Sequence, residues 1–165
     1  MKGEEHMGLT LVVMLAVHLA GGALWLGGVL ALLVLVTLAA RSAEQGRTDA
    51  VRALLRASVT LNWAIMVGGG LTVLSGLAQT WASRLPLFDL TCLPLFMMQL
   101  LGLIAFLLTG LIHRAAMLAM AKAEELSRGK TSYVTFLSAN ARVGWYGFVT
   151  LLILLTTLVA GVLTG

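Results

Sequence analysis

Three histidines, eight methionines and one cysteine are the side chains of this 165-residue chain best suited to holding a metal. His18 comes first because it lies inside a long charge-free run, where an ionisable group is costly and tends to have a task. Within HLAGGALWLGG, residues His18, Gly21, Gly22 and Trp25 fall at i, i+3, i+4 and i+7 and share one helix face. Gly28 lies about 80° off that face and Gly27 opposite it, so this second glycine pair meets a different neighbour. A face of this kind suits close packing against another helix, and equally a flat macrocycle set between helices.

Depth within the apolar spans supplies possible partners. Gly76 and Gly161 fall at nearly the level of His18, and so do Met97, Met98 and Gln99. Methionine is a soft ligand that suits Cu(I) and, opposite histidine, haem iron. The candidate metal ligands are therefore His18, Met97 and Met98. The wider cofactor-binding set adds Gly21, Gly22, Trp25, Gly76, Gln99 and Gly161. His113, beside Arg114 at the other end of its span, forms a secondary group with Asn62 and Tyr146. Spans one and three run parallel, so His18 and His113 lie at opposite ends and are not two axial ligands of one haem. His6 reads as an exposed terminal residue. Trp81 and Trp145 read as interfacial anchors, Trp25 and Trp63 as deeper residues that line the site.

Other chemistries are poorly served. A single cysteine, Cys92, excludes an internal disulfide, a CxxC pair and a thiolate-built iron–sulfur or zinc site, and it reads as packing. The chain has no glycine-rich phosphate loop, HExxH, GxSxG or paired intramembrane carboxylates. No catalytic residues are assigned, and a redox or haem protein is expected rather than an enzyme with its own substrate site.

The elements that must position these residues follow from charge spacing. The chain is 59% hydrophobic and 11% charged, against roughly 25% charged in soluble domains. Charges cluster, leaving uncharged spans at 6–40, 57–83, 90–113 and 143–165, each longer than the roughly 20 residues a bilayer-crossing helix needs. They predict one all-α transmembrane domain over 1–165, an integral membrane four-helix up-down-up-down bundle with helices at about 8–40, 57–83, 91–121 and 142–164. Pro86 sets the end of helix two near Ser83, Asp89 or Thr91 is expected to cap helix three, and Gly129 to end it. Nine of the eleven basic residues fall between spans one and two or between spans three and four. The positive-inside rule then places loops 41–56 and 122–142 in the cytoplasm and both termini on the outer side of the cell's inner (cytoplasmic) membrane. The net charge of +4 is thus topological, and nucleic acid is not an expected partner. Expected partners are membrane lipid and a larger respiratory or redox membrane complex, or further copies of the chain.

HLAGGALWLGG in the first helix, TVLSGLAQ late in the second and NARVGWYGFVTLLILL in the fourth together resemble the superfamily around the copper-resistance protein D (CopD) domain, which includes the HemJ-type protoporphyrinogen oxidases. The resemblance covers most of the chain as a four-helix unit. It implies a first-helix histidine, here His18, used for haem b or for copper. HemJ-type members also carry a lysine in the third helix. This chain has none between Asp89 and His113, with Gln99 the nearest polar residue, which counts against protoporphyrinogen oxidation. Three functions follow as expectations: haem b binding for electron transfer or redox support, CopD-like copper uptake or handling, and a non-catalytic accessory subunit.

Overall fold

The computed structural model describes the backbone of residues 2–162 and the side chains of residues 9–162. Among these residues the chain forms helices α1 (Lys2–Glu44), α2 (Thr48–Ala82), α3 (Leu93–Ser127) and α4 (Tyr133–Val162), with no strand. Each is long and apolar enough to cross a membrane. Many large apolar side chains face outward, such as Leu74 and Val162. Lipid can cover such a surface, whereas a soluble monomer rarely exposes one so extensive. The side chain of His6 lies outside the described residues.

All four helices outrun the charge-free spans that announced them, α1 by continuing to Glu44. Helix α2 begins at Thr48, α4 begins at Tyr133 and α3 continues to Ser127. In these extensions Arg56 and Arg142 are exposed, whereas Arg52, Lys122, Glu124 and Glu125 are half-buried, with Lys122 paired to Glu125 at 2.7 Å. The three connections open with the same chain reversal. At the end of α1 the Arg47 N–H donates to Ser42 O at 2.9 Å and the Gly46 N–H to Ala43 O at 3.0 Å, with Gly46 at φ +69°. The end of α3 repeats it with Gly129 at φ +68°. Both are Schellman caps, whose left-handed residue is normally glycine. The end of α2 forms the same cap with Arg84 at φ 56°, where a Cβ makes that conformation strained. The N-cap position of helix α3 is Cys92, not Asp89 or Thr91, and its side chain makes no capping hydrogen bond. The Asp89 carboxylate instead accepts the Thr91 N–H at 2.8 Å and closes the preceding turn, with Pro94 in the first turn of the helix. That backbone bond, followed by the Thr91 hydroxyl, holds the Asp89 pKa below its ordinary value.

The helices pack in the cyclic order α1, α2, α3, α4, each against its two chain neighbours and α4 against α1. Both termini and the 83–92 connection therefore share one end, called here the termini end. The two arginine- and lysine-rich connections share the other, the basic end. Helix α3 carries Ala105, Ala115, Ala116, Ala119 and Ala123 on its buried face, small enough to admit α4 closely. Most buried hydroxyls return to their own helix: Ser58 to Leu54 O, Thr109 to Ala105 O and Thr150 to Tyr146 O. Burial is uneven along the axis. On α1 no described residue before Gly21 is buried, on α3 none before Ala105, and on α4 none after Thr150. The basic half is solid, while the termini half is loosely packed.

Candidate functional site

His18 sits at the border of these two halves, half-buried against α2. Its Nδ1 is 2.9 Å from the backbone oxygen of Thr72 and 3.3 Å from Ser75 Oγ, whose own hydrogen is directed to the Leu71 carbonyl. A carbonyl oxygen only accepts, so Nδ1 carries the ring proton and Nε2 carries the lone pair. Gly76 seats the ring: a Cβ there would stand 3.0 Å from His18 Cε1 and 3.2 Å from Nδ1. The sequence placed His18 and Gly76 at one level, and the structure puts them in contact. It adds Thr72 and Ser75 to the site. Their signal was TVLSG itself, hydroxyls one turn before and directly beside that glycine.

The other small residues on this face serve the α1–α2 contact. A Cβ on Gly21 would lie 2.9 Å from Gly68 O, and one on Gly68 would lie 2.9 Å from Gly21 O, so the two backbones touch. Gly22 is looser, with Thr72 Oγ1 at 3.9 Å from its Cβ position. One turn further toward the basic end, Trp25 is 1% exposed and lies over Gly69. Its ring crosses the bundle to meet Phe106 edge-on, and its indole N–H donates to Thr109 Oγ1 at 3.1 Å. Trp25 is thus the link between the diagonally opposed helices α1 and α3. Trp63, expected deep, turns outward at 58% exposure, because Asn62 takes the inward position beside it.

Gly102 marks a space facing the loosely packed half. It falls three and seven residues before the fully buried Ala105 and Thr109, hence on their face of α3, yet nothing lies within 4 Å of its Cβ position. On that helix Met97, Met98 and Gln99 are all half-buried. Met98 packs beneath Gly161 of α4, with its Cε 3.3 Å from the Cβ position. These two residues, each placed by depth at the level of His18, are in contact with one another on the α3–α4 side. Gln99 is occupied differently. Its Oε1 accepts the Phe88 N–H at 2.7 Å, and its Nε2 lies 3.4 Å from Thr80 Oγ1, tying the 83–92 connection to the end of α2.

The secondary residues occupy three separate settings. Asn62 is 0% exposed in the bundle interior, and neither atom of its amide has a hydrogen-bond partner. His113 packs edge-on against Trp63, ring centroids 5.3 Å apart, with its Nδ1 buried and unpartnered. Tyr146 lines a groove between α3 and α4 together with Arg114 and Arg142. Cys92 is exposed, and among the described residues no cluster of three or more His, Cys, Asp or Glu forms. Comparison with family models, with curated proteins and with solved structures returns no match.

Proposed function

We propose that the chain is a multi-pass protein of the cell's inner membrane that holds a haem b on His18 and serves electron transfer or the support of a redox partner, as a member of the CopD-like superfamily. The reading rests on one observation. Thr72 O accepts a hydrogen bond from His18 Nδ1–H, which fixes the ring's orientation and, in the neutral imidazole, leaves the Nε2 lone pair for a ligand. The space at Gly102, on the interior face of α3, supports the fit of a flat group on that half of the bundle. When bound, the haem supplies one-electron chemistry. The chain's part is to hold the imidazole on Gly76, to fix its tautomer through Thr72 and to close the interior below it with Trp25. In the proposed topology the termini end is outer and loops 41–56 and 122–142 are cytoplasmic, which accounts for the basic connections. Copper handling would use the same Nε2 with a methionine sulfur. It is less well served, because Met98 lies under Gly161 on the α3–α4 side and Cys92 is out on the 83–92 connection.

The test is an absorption spectrum, oxidised and dithionite-reduced, of protein made under haem-replete conditions and purified in mild detergent, with metal analysis of the same sample. A Soret band is expected in the wild type and in His113→Ala, and not in His18→Ala. A flat wild-type spectrum would overturn the haem reading, with stoichiometric copper pointing to copper handling and neither group pointing to an accessory subunit. Retention of haem by His18→Ala would remove His18 as its ligand.

A further inference from the structure

The groove between α3 and α4 near the basic end carries a site unrelated to His18. It has a volume of about 440 Å³ and is lined by Leu111, Arg114, Ala115, Leu118, Arg142 and Tyr146. That size lies within the range of small-molecule sites. Arg114 and Arg142 come from different helices and face the same groove. Neither has a carboxylate partner: the ion pairs among the described residues are Arg52–Asp49 at 4.0 Å and Lys122–Glu125 at 2.7 Å. Two unneutralised guanidinium groups lining one small groove repel each other unless an anion lies between them. Guanidinium is the side chain that best matches the paired oxygens of a phosphate.

The location selects the anion. Arg114 directly follows the charge-free span 90–113 and Arg142 directly precedes 143–165, so both stand where an apolar span meets the headgroup layer. Leu111 and Tyr146 continue the groove one turn toward the membrane interior, which gives it an apolar arm beyond the charged mouth. Ala115, only 7% exposed, forms a floor from which only a methyl group projects. A free phosphate would use the arginines and leave that arm uncovered; a phospholipid uses both. We propose that this groove binds the phosphate headgroup and proximal acyl chain of one anionic phospholipid. The proposal is independent of any cofactor at His18.

The experiment is native mass spectrometry of the full chain in mild non-ionic detergent, titrated separately with phosphatidylglycerol, phosphatidylcholine and inorganic phosphate. One phosphatidylglycerol per chain is expected to be retained in preference to phosphatidylcholine. Each basic contact contributes about 5-fold to affinity, so R114Q or R142Q should weaken retention by about 5-fold and R114Q/R142Q by about 30-fold. The charge-matched control R47Q/R128Q, on exposed arginines away from the groove, should leave it unchanged. An equal loss in that control would overturn the proposal in favour of diffuse charge attraction. So would equal retention of phosphatidylcholine. Displacement of the lipid by inorganic phosphate at equal concentration would make the groove a free-anion site instead. The single variants each alter one exposed side chain, so they report even if the double variant does not fold.

Discussion

Adding one methyl group to α1 gives opposite results at two glycines of the same helix. In Gly21→Ala the new Cβ would lie 2.8 Å from Thr72 Oγ1, 2.9 Å from Gly68 O and 3.0 Å from Leu71 Cβ. Carbon contacts settle at about 3.5–4.0 Å, and here one obstacle is backbone that no rotamer change can move. The helices must part by on the order of 0.5 Å, at the roughly 1–3 kcal/mol typical of overpacking. In Gly27→Ala the Cβ meets nothing within 4 Å, so only the helix-propensity gain remains, about 0.5–1 kcal/mol in the stabilising direction. Unfolding in mixed micelles of mild detergent and dodecyl sulfate, followed by far-UV circular dichroism, measures both. The parting in Gly21→Ala should also stretch the 2.9 Å bond from His18 to Thr72 on the same interface. If Gly21→Ala matched Gly27→Ala in stability, the direct α1–α2 backbone contact would be refuted, and with it the packing role of this glycine face.

Trp25→Phe should cost about 1–3 kcal/mol in the same assay, from the lost bond to Thr109 and the space left by the larger ring; a cost under about 0.5 kcal/mol would show that Trp25 does not couple α1 to α3. Asn62→Leu should stabilise the bundle by about 1–2 kcal/mol, because it removes a fully buried amide with no partner. A loss of stability would instead reveal a group held by that amide. Arg84→Gly should stabilise by about 1 kcal/mol by relieving the left-handed backbone at φ 56°, and an unchanged midpoint would show that the turn carries no such strain.

The helices were legible because charge-free runs of bilayer length admit few other structures. Their ends were less so, since arginines such as Arg56 and Arg142 mark where an apolar span stops, not where a helix stops. Within the site, axial level was readable and rotation was not. His18 with Gly76 and Met98 with Gly161 were matched by depth and are in contact, because antiparallel helices of known direction fix the level of each residue. Trp63 was misplaced in azimuth and is turned outward, and depth alone did not show that Gln99 is bound to the 83–92 connection. Helices that are apolar on nearly every face carry too weak a polar stripe to fix their rotation. The groove arginines were read only as topological charges, since pairing Arg114 with Arg142 depends on the register between α3 and α4.

The uneven packing bears on how the proposed site would respond to its ligand. Helices in a bilayer gain little from burying apolar surface against one another, so association depends on small residues and close contact. The basic half has these in the alanine face of α3 and in Leu33 seated on Gly147. Toward the termini end, the close contacts are the Gly21–Gly68 approach, Gly76 beneath His18 and Met98 under Gly161, while α3 has open space at Gly102. A flat group ligated by His18 would supply α3 with contacts at Gly102 that its neighbours do not make there. Binding to the folded bundle alone adds stability in proportion to the logarithm of ligand saturation. Haem-loaded protein should therefore resist dodecyl sulfate more strongly than haem-free protein, and His18→Ala should erase that difference. Equal resistance of the loaded and haem-free forms would place the group outside the bundle interior, whatever its ligand.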